Sequence, residues 1–140
     1  MSELIKNEIL ALLKPEQVVY LATSCENQPY NRPVTLIYNK NRFYFATGSI
    51  DAKTEQLKLN PLLEICLPIK DEKYSGYVRF TGNAEAVSDS VVRKEIYDEA
   101  SFLSYFWKES TDPSYVLYQM TWQKAEYMKP GEHLSTKIDW

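Results

Sequence analysis

The sequence predicts a mainly β protein of the α+β class, with an antiparallel strand order that suits a small barrel carrying flanking helices. Six or seven segments are rich in β-branched and aromatic residues, short polar turns join most of them, and two or three helical patterns interrupt the series. Short turns connect antiparallel neighbours, whereas parallel strands need a long crossover. A length of 140 residues suits one domain, residues 1–140.

The first element is a helix over residues 3–13. Leucine and isoleucine side chains recur there at helical spacing, Ser2 is a suitable N-cap, and Pro15 ends the pattern. Because one face of this helix is apolar, we expect it to cover part of the β structure.

Three strands are expected next, at residues 18–24, 31–38 and 42–46. The first has the sequence VVYLATS, and the turn at residues 25–29 contains asparagine and proline. A second polar turn at residues 39–41 precedes the third strand. Since both turns are short, the three strands are expected to form an antiparallel meander.

A short helix is inserted after the meander. Asp51 is its expected N-cap, and Pro61 ends it. Strand patterns return at residues 62–69 and 76–87, separated by a charged loop. The isolated Gly82 inside the second of these strands indicates a bulge or a bend.

The last third of the chain contains one longer helix and the closing strands. Ser88 or Asp89 caps a helix that is expected to run to about residue 106, with an apolar stripe on one side. Residues 115–122 form a strand, and residues 125–128 either continue it or pair with it.

The charge balance argues against several partners. With 16 Lys and Arg against 19 Asp and Glu, the formal charge is −3, so neither nucleic acid nor an anionic membrane is expected. The N-terminal segment carries Glu3 and Glu8 among its apolar residues, which is unlike a signal peptide, and no stretch has transmembrane length. We expect a cytoplasmic protein.

Counts of glycine, histidine and cysteine exclude several common sites. The four glycines are too scattered for a dinucleotide fingerprint or a phosphate-binding P-loop. Because His133 is the single histidine, two-histidine metal sites are excluded. The sequence also has no nucleophile motif with which His133 could form a catalytic triad. Cys25 and Cys66 lie in separate predicted strands, so a disulfide scaffold is not expected. The sequence predicts no metal site and identifies no catalytic residue.

Three side chains suggest another way to hold a phosphate. Arg32 opens the second strand, Thr47 ends the third, and Lys53 lies in the first turn of the inserted helix. Arginine offers a bidentate fork, lysine a point charge and threonine a hydroxyl, and the first-turn amides of a helix are free donors. Taken alone, each of the three is better explained as a surface charge or a strand end.

The order of these donors along the chain resembles that of a known family. The segments that carry the resemblance are, in order, Val19-Tyr20-Leu21-Ala22-Thr23, Arg32-Pro33-Val34, Phe43-Tyr44-Phe45-Ala46-Thr47, Lys53-x-x-Gln56-Leu57-x-x-Asn60-Pro61 and Gly76-Tyr77-Val78-Arg79-Phe80-x-Gly82-x-Ala84-Glu85. This series is similar to the pyridoxamine 5'-phosphate oxidase-like, FMN-binding split-barrel proteins. Within them, the sequence resembles the nitroimidazole-resistance and general-stress type.

The resemblance implies a split antiparallel β-barrel that forms a homodimer, with two FMN molecules at the subunit interface. The family's phosphate contacts fall on Arg32, Thr47 and Lys53. The other residues that the resemblance places near the flavin are Pro33, Val34, Thr35, Ala46, Tyr77, Val78, Arg79 and Tyr127. Of these, the strand containing Tyr77, Val78 and Arg79 would approach the ring from the partner subunit.

Two departures from the family pattern narrow the expected activity. Asp51 and Ala52 replace a serine and an arginine that commonly precede the lysine. Loss of one charge-assisted bond of about 1.5–3 kcal/mol would weaken phosphate binding about tenfold to a hundredfold. Leu134, Thr136 and Ile138 stand where the oxidases carry the Arg and His residues that hold the vitamin. We therefore expect no vitamin B6 oxidase activity.

The expected function is that of an FMN-binding flavoprotein that transfers electrons, with NADH or NADPH as a candidate donor, to a small oxidised acceptor such as a nitroaromatic or a quinone. The alternative is a non-catalytic module that binds flavin, haem or another small ligand, with His133 as an axial haem ligand. Tyr127 and Trp140 have two possible roles, as covers of the flavin or as aromatic core residues.

Overall fold

The computed structural model describes residues 2–140. Its helices are α1 (Ser2–Ala11), α2 (Ala52–Leu59) and α3 (Ser90–Glu99), and a 3₁₀ helix follows α3 at Ser101–Tyr105. Its strands are β1 (Glu16–Cys25), β2 (Gln28–Asn39), β3 (Arg42–Gly48), β4 (Leu62–Lys70), β5 (Ser75–Ala86), β6 (Tyr115–Met128) and β7 (Thr136–Asp139).

Antiparallel pairing links the strands in the order β3-β2-β1-β4-β5-β6-β7, and β3 also pairs with β6. The first six strands therefore close into a barrel, and the predicted mainly β, antiparallel class is confirmed. The long strand β6 pairs with two different strands along one of its edges. Its residues Tyr115 to Met120 pair with β3, and its residues Lys124 to Tyr127 pair with β7.

Most predicted elements are confirmed, and two differ at their ends. Helix α1 ends at Ala11 rather than at residue 13. Helix α3 ends at Glu99, because Ala100 leaves the helical region with φ −93° and ψ 82°, and the chain continues as a 3₁₀ helix. The expectation of one helix to about residue 106 is therefore wrong.

The closing strands show one confirmed alternative and one omission. Strand β6 runs without interruption through Tyr115–Met128, so residues 125–128 continue it. The sequence pattern does not predict β7, because this strand has four residues and contributes only Ile138 to the core. So short a pattern is too weak to distinguish a strand from a loop.

Gly82 marks the predicted irregularity. The pairing of β5 with β6 shifts register between Thr81 and Gly82, which places a bulge there. A Cβ added at Gly82 would lie 1.9 Å from the carbonyl oxygen of Thr121 on β6. Only glycine permits the two backbones to approach this closely.

Two groups of buried apolar side chains hold the fold together. The larger fills the barrel, where Leu21, Phe45 and Phe80 are fully buried, and Ile9 of α1 packs into it. The predicted covering role of α1 is thereby confirmed. The smaller group joins Ile96 of α3 and its neighbours to the side of β2, β3 and β6 that points away from the barrel interior.

Strand order decides which faces can cooperate in one chain. Strands β2 and β5 are three positions apart in both directions around the six-stranded ring, so they lie on opposite sides of the barrel. Outward-pointing side chains of these two strands therefore face away from each other.

Candidate functional site

A cavity of about 400 Å³ lies between strands β2 and β3 and the segment that follows α3. Pro33, Val34, Thr35 and Ala46 form its β-sheet side, so four of the residues expected near a flavin come together here. The volume lies in the range of small-molecule and cofactor sites.

Thr47, near the end of β3, lines the polar end of this cavity. The residue is 3% exposed, and its Oγ1 is a buried polar atom with no hydrogen-bond partner in the described chain, residues 2–140. An unpaired buried hydroxyl costs about 1–3 kcal/mol. A ligand oxygen that reached this hydroxyl would remove the deficit by accepting its hydrogen bond.

Lys53 and Asp51 stand at the same end, at the start of α2. Asp51 is the N-cap of this helix, and its Oδ1 accepts a hydrogen bond from the backbone N of Lys53 at 3.1 Å. The same oxygen lies 2.9 Å from the ammonium of Lys53, whose side chain is only 15% exposed.

This contact sets the charge at the polar end. Burial alone would raise the pKa of Asp51, but the hydrogen bonds from Lys53 and the charges of Lys53 and Arg32 together hold that pKa below its ordinary value. The Asp51 carboxyl is therefore ionised at neutral pH, in contact with the cation expected to bind a phosphate.

Arg32 lies beside the cavity and does not line it. Its Nη1 donates to the carbonyl oxygen of Leu21 at 3.2 Å and to Thr23 Oγ1 at 2.9 Å. Its Nη2 donates to Gln56 Oε1 at 2.6 Å, so the guanidinium is held against β1 and α2. Burial lowers the pKa of Arg32, and the charge of Asp51 opposes that effect. Of the three predicted phosphate donors, the structure thus brings Thr47 and Lys53 into the cavity.

An aromatic wall closes the opposite side of the cavity, and the sequence reasoning missed it. Phe102, Leu103, Phe106 and Trp107 line the cavity from the 3₁₀ helix and the residues after it. The Tyr97 hydroxyl donates to the Trp107 carbonyl oxygen at 2.6 Å, which fixes the segment to α3. The run of aromatic residues after α3 was the sequence signal that could have indicated this wall. Phe106 is 69% exposed, so it is not a core residue.

The side chains of Tyr77 and Arg79 lie on the outer face of β5, away from this cavity. Arg79 Nε donates to Glu64 Oε1 at 2.8 Å, and its Nη1 lies 3.4 Å from Glu126 Oε2. The Tyr77 hydroxyl donates to Glu126 Oε2 at 2.8 Å. Sequence spacing gives no sign that these two glutamates share one arginine, because they come from different strands.

These contacts shift two ionisations in opposite directions. The hydrogen bond to Glu64, with the charge of Glu126, raises the pKa of Arg79 well above its ordinary value. The hydrogen bond from Tyr77, with the charge of Arg79, lowers the pKa of Glu126. A second, smaller cavity of about 200 Å³ lies against this charged face.

Three other residues expected near a flavin or weighed as its cover belong to the barrel core or pack against it. Val78 is fully buried, and Tyr127 is also buried, so neither side chain lines the large cavity. Trp140 packs its ring edge-on against Phe80, with centroids 5.1 Å apart. The structure supports the core interpretation for Tyr127 and Trp140.

His133 lies in an exposed turn between β6 and β7 and does not line the large cavity. Its place gives no support to a role as a haem ligand there. Within residues 2–140, no helix is both long and apolar enough to cross a membrane.

Comparison with known proteins supports a single family and fold. A family model described as pyridoxamine 5'-phosphate oxidase matches residues 5–129. A comparison with curated proteins returns no significant match. The General Stress Protein 26 structure from Bacillus anthracis str. Sterne superimposes with a TM-score of 0.78 at 18% identity, covering 97% of this chain and 98% of that one.

Two further structures of this fold belong to proteins that are named for the ligand they bind. An FAD-binding protein from Mesorhizobium loti gives a TM-score of 0.67 at 19% identity, over 89% of this chain and 90% of that one. A heme binding protein from Mycobacterium smegmatis gives 0.74 at 16% identity, over 89% of this chain and 53% of that one. Because the family model spans most of the sequence, this chain belongs to the pyridoxamine 5'-phosphate oxidase family of split barrels.

Proposed function

We propose that this chain is an FMN-binding flavoprotein that acts as a homodimer and transfers electrons to a small oxidised acceptor of the nitroaromatic or quinone type. The observation that carries the proposal is the buried, unpaired Thr47 hydroxyl at the polar end of the large cavity. Buried polar groups in folded proteins nearly always have a partner, so this hydroxyl is available to a ligand acceptor. The Trp122 indole N–H is also buried without a partner among residues 2–140, but it lies among core residues and Trp122 does not line this cavity. The family and the FAD-binding relative support a flavin as that ligand.

Each part of the cavity has a role in this proposal. Thr47 and Lys53 bind the phosphate by a hydroxyl and a charged hydrogen bond, and Arg32 adds positive charge from beside the cavity. Phe106 and Trp107 exclude water and offer aromatic surface to a planar ring. When bound, FMN supplies the electron transfer, and the protein supplies position and electrostatics.

The positions of β2 and β5 support a homodimer. Tyr77 and Arg79 point away from the cavity of their own chain, so they reach a flavin only when a second copy presents its β5 face. The neighbouring strands β1 and β4 expose apolar side chains on the same side, Val18 at 58% and Leu62 at 55%. Exposed apolar side chains of this kind suit a protein interface.

Titration of FMN, followed by quenching of its fluorescence, tests the site. Thr47→Val keeps the shape of the side chain and removes the hydroxyl, and Lys53→Met removes the charge. Each substitution is expected to weaken FMN binding about tenfold to a hundredfold, since each removes a hydrogen bond to a charged group. Thr111→Val, on an exposed loop, is the matched control and leaves the affinity unchanged.

Equal affinity in all four proteins, or no FMN binding by the native chain, would overturn the proposed site. Electron transfer is tested separately by anaerobic bleaching of the bound flavin with NADH and with NADPH, followed by reoxidation with a nitroaromatic. A flavin that binds but resists both nicotinamides would make the chain a binding module. A Soret band in the protein as purified would instead indicate haem.

A further inference from the structure

The polar end of the large cavity contains a carboxylate that a phosphate site does not need. Asp51 lines the cavity together with Thr47 and Lys53. One of its oxygens accepts from the Lys53 backbone at 3.1 Å and lies 2.9 Å from the Lys53 ammonium. The cation that lines the cavity is therefore already paired with an anion of the protein.

The charges at this end add up to little attraction for a phosphate. Arg32 and Lys53 contribute two positive charges, and ionised Asp51 removes one of them. A phosphate monoester carries about −1.5 to −2 at neutral pH. The Lys53 side chain is 15% exposed and that of Asp51 is 43% exposed, so solvent screens this pair only in part. A bound phosphate must either share the Lys53 ammonium with Asp51 or displace the Asp51 carboxylate from it. Either way, two negative groups lie close together, and their repulsion weakens binding.

Arg32 does not compensate for this competition. Three of its five N–H groups already donate to Leu21, Thr23 and Gln56, and the residue does not line the cavity. Thr47 remains as the donor without a partner among the described residues, and it carries no charge.

We propose that Asp51 is a specificity-determining residue that holds the affinity of the cavity for the flavin phosphate low. FMN is then an exchangeable ligand rather than a permanently bound cofactor, and the cavity discriminates between FMN and riboflavin less strongly than it would without the Asp51 charge. This inference rests on the proposed flavin site. It goes beyond that proposal because it assigns an opposing role to one residue of the same cavity.

The test compares FMN with riboflavin, which lacks the phosphate, in native protein and in Asp51→Asn. Asparagine is as good an N-cap as aspartate, so the start of α2 is preserved while the charge is removed. The matched control is Asp89→Asn, because Asp89 caps α3 in the same way, accepting from the backbone of Val91 and Val92, and does not line the large cavity.

In Asp51→Asn, the dissociation constant for FMN is expected to fall about tenfold or more, while that for riboflavin stays within about twofold. The gain should shrink as salt is added, because it arises from charge. Asp89→Asn should change neither constant. An unchanged or weaker affinity for FMN in Asp51→Asn would overturn the inference and leave the flavin site intact. Equal tightening for both flavins would also overturn it, since the effect would not involve the phosphate. Failure of every protein to bind either flavin would overturn both proposals.

Discussion

The cavity beside β2 and β3 and the outer face of β5 differ in how their polar groups are satisfied. At the cavity, the Thr47 hydroxyl is buried without a partner in the described chain, and Lys53 is paired only with the exposed Asp51. On β5, Arg79 joins Glu64 and Glu126. In the proposed function, the unsatisfied hydroxyl would accept a ligand as its partner, whereas the polar groups on β5 are already satisfied within the chain.

The strand β5 that carries one of these regions pairs with β6 through a bulge at Gly82. In Gly82→Ala, the added Cβ would lie 1.9 Å from the Thr121 carbonyl oxygen, so the strands must move apart. We expect the free energy of unfolding to fall by about 3 kcal/mol, as for severe overpacking. Urea denaturation followed by circular dichroism measures the loss.

Gly48→Ala is the matched control, because a Cβ at that position meets no atom within 4 Å. It should change the free energy of unfolding by no more than about 0.5 kcal/mol. Equal stability of the two variants would show that the close approach at Gly82 is not what fixes the register.

A smaller effect is expected on the β5 face from Tyr77→Phe. The substitution removes the hydrogen bond to Glu126, so the pKa of Glu126 should rise toward its ordinary value. A carboxyl with a lowered pKa in the folded state stabilises the protein above its unfolded pKa, and this contribution disappears as the pH falls through the folded pKa. The stability lost in Tyr77→Phe should therefore be largest near neutral pH and vanish in acid.

Proton titration of Glu126 by NMR and unfolding at several pH values check this prediction. Tyr74→Phe, on the exposed loop before β5, is the control and should leave the pKa of Glu126 unchanged. A loss of stability that is the same at every pH would mean that the hydroxyl acts through packing alone.

Local patterns in the sequence predict much of this fold. The N-caps Asp51 and Asp89 and the bulge at Gly82 all occur where the residues indicate them. Each depends on neighbours along the chain or on the backbone freedom of glycine. Closure of the barrel by β3 and β6 depends instead on pairs such as Phe43 with Met120, far apart in the sequence, which no local pattern encodes.

The candidate site could be predicted in part for the same reason. Thr47 and Lys53 lie close together in the chain, and the structure places both at one end of the cavity. The orientation of Arg32 toward Gln56 and the aromatic wall at Phe106 depend on tertiary packing, which sequence spacing does not show. The contact of Asp51 with Lys53 could have been expected from the capping geometry. Its effect on a ligand could not, because that effect depends on both residues lining the same cavity.

Mixed dimers test most directly the claim that the two faces complete one flavin site. Lys53→Met disables the cavity and Arg79→Met disables the β5 face, so each variant alone should bind FMN weakly. In a refolded equal mixture, each heterodimer has one site with both faces intact. About a quarter of all sites should then bind FMN with native affinity, by random pairing of subunits. A mixture that binds only as the average of the two separate variants would contradict the account.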